Sequence, residues 1–334
     1  MRLTLQSTLS TASYIAKSKL GRKKISPIVL MLEPLHACNL ACEGCGRIRE
    51  YKATIREQMP LEDLLAAVDE SQTPVVSICG GEPLIYKQIG PLVEEILKRG
   101  RSIHLCTNAV FLKQKLHLFK PSPMFQWMVH LDGGEEFHDK VVVQKGVYKK
   151  AIEAMRAAKE AGFRVCTNTT VYKDTDMKDL EQLFEYLERE KLVDGLLISP
   201  AYAYAAVGTK DIFMDRAEIR EKFKDVVALS KRFRFINTPI YLKYLQGNHE
   251  LECTPWGTIT RNPNGWKGPC YSMTEKHYKT YEEFINGFQW ENYGPGKHEM
   301  CKDCMVHSGF EPTVAVKGAP SFSDTMELIR WNFS

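Results

Sequence analysis

The chain has 334 residues, 44% hydrophobic and 26% charged, with a formal net charge of +4, a composition that suits one α/β domain with an appendage. No apolar run approaches the eighteen or so residues of a membrane span, and Thr4, Gln6, Ser7, Thr8, Ser10 and Thr11 interrupt any secretory leader. Ten cysteines without such a leader point to metal rather than disulfides, and to the cytoplasm.

In chain order, residues 1–25 read as a basic amphipathic arm. Arg2, Lys17, Lys19, Arg22, Lys23 and Lys24 bring six positive charges with no acid among them. That exceeds the net charge of the whole chain, so the remainder is net acidic and is not a nucleic-acid binder by charge. Leu5, Leu9, Ala16 and Leu20 fall on one helical face beside the basic run. Such a segment either packs on the body or rests on anionic lipid, as a peripheral contact at the inner face of a membrane.

Residues 26–205 alternate short apolar runs with helical patterns, the mark of βαβ units and a parallel sheet. The predicted strands are 28–33, 75–79, 103–107, 127–132, 165–171 and 195–200, and the predicted helices 61–70, 89–99, 113–119, 147–161 and 177–190. Six strands alternating with helices fit a partial (β/α)6 barrel, whose chemistry belongs at the C-terminal strand ends. Residues 206–334 form a C-terminal extension, with a long charged helix over 216–232 and a shorter one over 239–247. From Cys253 onwards it is loop-rich and cysteine-containing, in need of a metal staple.

The chemistry-bearing residues fall into three groups. Cys38, Cys42 and Cys45 lie within eight residues, and three thiolates are one short of the set that holds a 4Fe–4S cluster, leaving one iron open. Gly80, Gly81, Glu82 and Pro83 end the second predicted strand, where glycines let backbone approach a ligand and Glu82 offers a carboxylate. Asn108, Asp132 and Asn168 stand at further strand ends as candidate ribose or methionine contacts. Cys106 precedes Thr107 and Asn108, and its weak S–H bond could supply a hydrogen atom to a carbon radical; Cys79 and Cys166 read as strand fillers. Cys253, Cys270, Cys301 and Cys304 are enough thiolates for a closed second site, a 4Fe–4S cluster or zinc, with His307 as a substitute ligand.

The triplet followed by Gly80-Gly81-Glu82-Pro83 resembles the radical S-adenosylmethionine (SAM) enzymes. The resemblance implies a radical SAM partial barrel, a 4Fe–4S cluster on Cys38, Cys42 and Cys45, SAM as co-substrate on the open iron, and Gly80–Glu82 at the SAM amino group. Gly44 departs from the pattern, because that place usually holds a bulky side chain near the adenine. More narrowly, Leu32-Glu33-Pro34-Leu35, Leu105-Cys106-Thr107-Asn108-Ala109, His130-Leu131-Asp132-Gly133, Ser199-Pro200-Ala201-Tyr202-Ala203-Tyr204 and Cys301-Lys302-Asp303-Cys304 look like the adenosyl-hopene transferase family of hopanoid biosynthesis. That likeness implies a transferase joining the 5′-deoxyadenosyl radical to the terminal alkene of a hopene-type triterpene (diploptene), fed by a flavodoxin- or ferredoxin-like electron donor. Phe111, Phe125, Trp127, Met128, Phe137, Tyr202 and Tyr204 are candidates to line its greasy cavity. The alternative is a radical SAM maturase acting on a peptide or another polyprenoid.

Overall fold

The computed structural model describes residues 2–203, 206–208, 210–318 and 321–333. Six strands, β1 (Val29–Leu32), β2 (Val75–Ile78), β3 (Ser102–Thr107), β4 (Phe125–His130), β5 (Arg164–Val171) and β6 (Gly195–Pro200), lie side by side in chain order and all parallel. Between them run helices Leu61–Ser71, Ile89–Lys98, Val147–Glu160 and Met177–Arg189, with the shorter Leu112–Lys115. Each long helix turns an apolar stripe to the sheet; Leu180, Leu183, Phe184 and Leu187 do so in the last.

Strand alternation divides the sheet into two faces. Leu30, Leu32, Val76, Ile78, Ile103, Leu105, Trp127, Val129 and Val165 join the helices in one continuous core. Residues of opposite parity form the inner wall: Met31, Ser77 and His104 in one register row, Cys106, Met128 and Cys166 in the next, then His130 and Asn168. Phe125 and Trp127 belong to the helix side, packed on Phe119 and Phe163, so they do not line the interior. Tyr204 lies outside the described residues.

The extension is more ordered than its composition suggests. β7 (Thr258–Asn262) adds to the free edge of β1 in parallel, and β8 (Gly265–Cys270) and β9 (Met273–Tyr278) follow antiparallel, giving the order β6-β5-β4-β3-β2-β1-β7-β8-β9. These strands are short and interrupted by Gly, Pro and Asn, so they carry no periodic signal. The long charged helix is two, Arg216–Lys222 and Val226–Arg232, because the chain turns at Phe223 to bury that ring.

The arm is helical over Leu5–Leu20 and crosses the N-terminal ends of β3 and β4. It is held there by polar contacts: Thr4 Oγ1 donates to the Pro123 carbonyl at 2.8 Å, the Ser7 and Ser102 hydroxyls meet at 2.8 Å, and Arg2 Nε donates to the Phe235 carbonyl at 2.8 Å. Leu5, Leu9, Ala16 and Leu20 all remain exposed, Leu9 at 59% and Leu20 at 84%. Among the described residues no helix is long and apolar enough to cross a membrane.

Candidate active site

The two motifs, forty residues apart in sequence, are stitched together by backbone. The Gly81 amide donates to the Leu35 carbonyl at 3.1 Å and the Glu82 amide to that of Ala37 at 2.9 Å. The turn after β2 thus lies directly on the segment leading into Cys38. Gly81 is required by that approach, since a Cβ there would sit 1.9 Å from the Ala37 oxygen. Gly80 has φ +107°, a conformation that favours glycine.

Cys38, Cys42 and Cys45 project half-buried from the loop that follows β1. Leu40, Val142 and Val147 form an apolar patch against Cys38 and Cys42. Burial pushes the Cys38 thiol up to about 11 and raises Cys42 as well. Cys38 Sγ faces the Leu40 amide at 3.5 Å and Asn108 Nδ2 at 3.9 Å, and Asn108 Nδ2 also donates to Asn39 Oδ1 at 2.9 Å. Amide donors aimed at a sulfur stabilise it as a thiolate ligand, and three soft donors on one loop suit a cubane corner. Among the described residues no three Cys, His, Asp or Glu side chains are set to hold a single metal ion.

Glu82 does more internal work than the sequence suggests. It is 1% exposed; Oε1 accepts from the Leu84 amide at 3.0 Å and from Thr107 Oγ1 at 2.7 Å, and Oε2 from the Asn108 amide at 2.9 Å. Burial raises its pKa against the pull of these donors. The carboxylate latches the ends of β2 and β3 together, and few acceptor directions remain for a ligand ammonium.

Asp132 is likewise occupied. Fully buried, it accepts from the Thr170 amide at 2.8 Å and pairs with His130 Nε2 at 2.7 Å. His130, which its position on β4 places on the inner wall, is the partly exposed member of the pair, and its pKa is raised through Asp132 despite burial. Asn168 sits beside His130 in register on β5. Ser199 is spent on the extension, accepting from the His307 amide at 3.3 Å and meeting the Tyr241 hydroxyl at 3.4 Å.

Tyr172, just past β5, was not singled out from the sequence. A Cβ at Gly44 would lie 2.5 Å from the Tyr172 hydroxyl oxygen, so this ring fills the room that Gly44 leaves beside the cysteine loop. The signal was the glycine itself, read as a vacancy rather than as space for a neighbour. His104 carries no sequence signal either: burial drives both His104 and His307 down to about 4, and a charge on His307 would lower His104 further. His307 opens a helix of the extension, its amide donates to Ser199 at the end of β6, and it is not among the residues lining the cavity of the C-terminal cysteines.

Cys106 lies on the inner wall, its Sγ 3.5 Å from Ser77 Oγ, and burial pushes its thiol up to about 11. Cys166 shares its register row across Met128, and Cys106 is near enough to Cys79 to add to the rise that burial gives the Cys79 thiol. Cys253, Cys270, Cys301 and Cys304 line one cavity beside β8, together with Tyr202 and Tyr293.

Residues 32–187 match the family model described as the radical SAM superfamily, and residues 196–328 match a domain of unknown function, DUF3463. The chain is 26% identical over 160 residues to Fe-coproporphyrin III synthase of Methanosarcina barkeri, covering 46% of this chain and 39% of that protein. It is 22% identical over 253 residues to GTP 3′,8-cyclase of Nautilia profundicola, covering 72% and 79%. The corresponding cyclase of Aquifex aeolicus is 28% identical over 170 residues, 48% of this chain and 53% of that one. The chain thus spans about two fifths of the synthase and about half of the Aquifex cyclase. Among solved structures, Streptococcus suis SuiB superposes with a TM-score of 0.64 at 16% identity, covering 89% of this chain and 75% of that one. Native anSMEcpe with bound AdoMet superposes at 0.57 and 15% identity, covering 92% of this chain and 97% of that one. Residues 32–187 form a radical SAM superfamily domain that holds β2 to β5, and the six parallel strands together have the arrangement of a partial barrel.

Proposed function

We propose that this chain, built on a radical SAM domain, is a transferase that adds the 5′-deoxyadenosyl radical to the terminal alkene of hopene (diploptene), giving adenosylhopane. Cys38, Cys42 and Cys45 would hold a 4Fe–4S cluster, which when bound would supply the electron that cleaves SAM, drawn from an external one-electron donor of the flavodoxin or ferredoxin class. Gly80 and Gly81 bring main chain to the SAM amino group. Glu82 holds that turn against Thr107 and Asn108. Tyr172, filling the place beside Gly44, is the aromatic group for the adenine.

The observation that carries the reading is Cys106. It is a half-buried thiol on the inner wall, one residue below the Thr107–Asn108 end that meets the cluster loop. Its raised pKa keeps the S–H bond intact near neutral pH. Addition to the =CH₂ carbon forms a C–C bond and leaves a tertiary carbon radical. Cys106 S–H breaks as the new C–H bond forms, and the sulfur radical returns to thiol by taking one electron from the external donor and one proton. Part of that wall suits an uncharged hydrocarbon: Met31, Met128 and the imidazole of His104, held neutral. The choice of hopene rests on the resemblance of the strand-end segments, and the exposed Leu5, Leu9 and Leu20 beside the basic run fit an enzyme that meets its substrate at a lipid surface.

The test is anaerobic reconstitution with iron, sulfide, SAM, dithionite and diploptene, followed by mass spectrometry of the lipid extract. A mass equal to diploptene plus 5′-deoxyadenosine is expected. SAM cleavage to free 5′-deoxyadenosine with no lipid adduct overturns the substrate. For Cys106→Ala, SAM cleavage and hopene consumption should persist while the saturated adduct gives way to unsaturated or other aberrant products. A wild-type yield of saturated adduct would remove Cys106 from the mechanism.

A further inference from the structure

Two helices of this chain are turned inside out. Helix Leu5–Leu20 buries Ser18 and helix Phe322–Phe333 buries Asn332, so each gives a polar residue to the body where a surface helix ordinarily gives an apolar one. Their large apolar side chains stand outward instead: Leu5, Leu9, Leu20, Phe322, Ile329 and Phe333 are all exposed, Phe322 at 81% and Phe333 at 62%. These are six of the nine large apolar side chains exposed among the described residues, a concentration rather than the scatter that any surface shows. On each helix the spacing keeps them to one stripe, at 5, 9 and 20 and at 322, 329 and 333.

The two helices meet. The Arg2 amide donates to the Asn332 carbonyl at 3.1 Å, the Leu3 amide to Asn332 Oδ1 at 2.9 Å, and Asn332 Nδ2 to Thr8 Oγ1 at 3.3 Å. Arg2 Nε and Trp331 Nε1 both donate to the Phe235 carbonyl, at 2.8 and 3.2 Å. The start of one helix is thereby pinned to the last turn of the other. Charge divides in the same way. Lys17, Lys19, Arg22, Lys23 and Lys24 are exposed, with no acid before Glu33. The two acids of helix Phe322–Phe333, Asp324 and Glu327, both turn to Lys243, at 3.9 and 2.5 Å, and Arg330 stays exposed beside Ile329. Outward cations beside apolar stripes complement a surface that is apolar within and negative at its rim, which is an anionic bilayer.

We propose that helices Leu5–Leu20 and Phe322–Phe333 form one docking surface for an anionic lipid bilayer, with Phe322, Ile329 and Phe333 set among the acyl chains and the basic run at the headgroups. Neither helix is long and apolar enough to cross the bilayer, so both lie along it. The arm is anchored at the N-terminal ends of β3 and β4, whereas the cysteine loop follows the C-terminal end of β1. A docked bilayer thus leaves that loop open to its electron donor. The surface rests on exposure and charge, and it stands whatever substrate the barrel takes.

The test is co-sedimentation of the full chain with phosphatidylcholine vesicles, with and without phosphatidylserine, alongside light scattering for oligomeric state. The wild type should bind the phosphatidylserine-containing vesicles, and less so at high salt. Phe322→Ser, Ile329→Ser and Phe333→Ser combined should weaken that binding by about tenfold or more, because large apolar side chains no longer leave water. The melt of this variant should stay that of the wild type. Leu5→Ser, Leu9→Ser and Leu20→Ser combined should act alike. Wild-type vesicle binding by the first variant overturns the proposal, as does a wild type that binds no vesicles. A dimer that either variant dissociates, with no vesicle binding, overturns it in favour of a second copy of this chain. If the first variant fails to fold, Phe322→Trp decides: brominated lipid should quench the added emission, and an unquenched indole refutes the docking.

Discussion

The barrel loop and the extension each gather cysteines, but by opposite routes. Cys38, Cys42 and Cys45 sit on one turn of chain, and the fold needs only to press Gly80–Glu82 against them. Cys253, Cys270, Cys301 and Cys304 meet only because β7 and β8 extend the sheet past β1 and the following segment folds back over them. A local site is set by loop spacing, whereas a site assembled from distant segments is set by the whole domain. Damage to the first should therefore show as lost chemistry, and damage to the second as lost order.

The sharpest break is Cys38→Ala, Cys42→Ala or Cys45→Ala. Each leaves two thiolates, too few to hold the cubane, and reductive formation of 5′-deoxyadenosine should fall to background while the thermal melt barely moves. Retained SAM cleavage in any one of them would show that the loop is not the cluster site.

A matched pair of glycines sharpens the contrast. Gly81→Ala drives a Cβ into the Ala37 carbonyl at 1.9 Å, which neither backbone can absorb without moving the cysteine loop. It should cost about 1–3 kcal/mol, the range for overpacking, and suppress SAM cleavage. Gly309→Ala meets only Cys253 Sγ at 2.9 Å and sits in the first turn of a helix, where alanine is favoured. It should leave SAM cleavage intact and lower metal retention in the extension. Equal metal content in Gly309→Ala and wild type would argue that Cys253 is not a ligand.

These outcomes also mark what the sequence can and cannot disclose. The six strands and their helices are legible because each carries a full apolar run or stripe, and β6 has its predicted bounds, Gly195–Pro200. β7 to β9 are hidden because Gly265, Gly268, Pro269 and the turn at Pro263-Asn264 erase any alternation; partner strands stabilise them, not their own pattern. At the site, the motif cysteines and glycines are legible through spacing. The occupation of Glu82 and Asp132 is not, since their partners, Thr107, Asn108, Thr170 and His130, become neighbours only across the sheet. Tyr172 illustrates the same limit: Gly44 announces space, and only the fold says who fills it.

A smaller effect should appear with pH at the seam between the two regions. Glu311 accepts from the Thr238 amide at 2.9 Å, from its hydroxyl at 2.7 Å and from Asn237 Nδ2 at 3.2 Å, while Asn237 Oδ1 accepts from the Ile198 amide of β6 at 2.8 Å. Burial nevertheless lifts Glu311 to about 7, against 4.5 for an ordinary glutamate. The folded chain thus binds this proton more tightly than the unfolded one, so the contribution of Glu311 to stability is fully present below about pH 4.5 and is lost as pH rises through 7. The decline from this group amounts to about 3 kcal/mol at most. Glu311→Gln should flatten that slope in melts taken between those limits. An unchanged slope would place the proton elsewhere.

The smallest effect concerns the arm, which touches neither cysteine site. Its leucines face outward and its anchors are polar, so deleting it would confuse lost lipid contact with lost packing at Ser102 and Phe235. Neutralising Lys17, Lys19, Arg22, Lys23 and Lys24 to Gln avoids this, because all five are exposed. Each basic residue near an anionic bilayer contributes about 1 kcal/mol, screened within a Debye length. The quintuple variant should therefore lose retention on phosphatidylserine-containing vesicles at low salt, approach wild type at high salt, and keep its melt and its SAM cleavage. If retention and its salt dependence stay the same, the exposed leucines and the basic run are not a lipid surface, and the arm serves only to cover the N-terminal ends of β3 and β4.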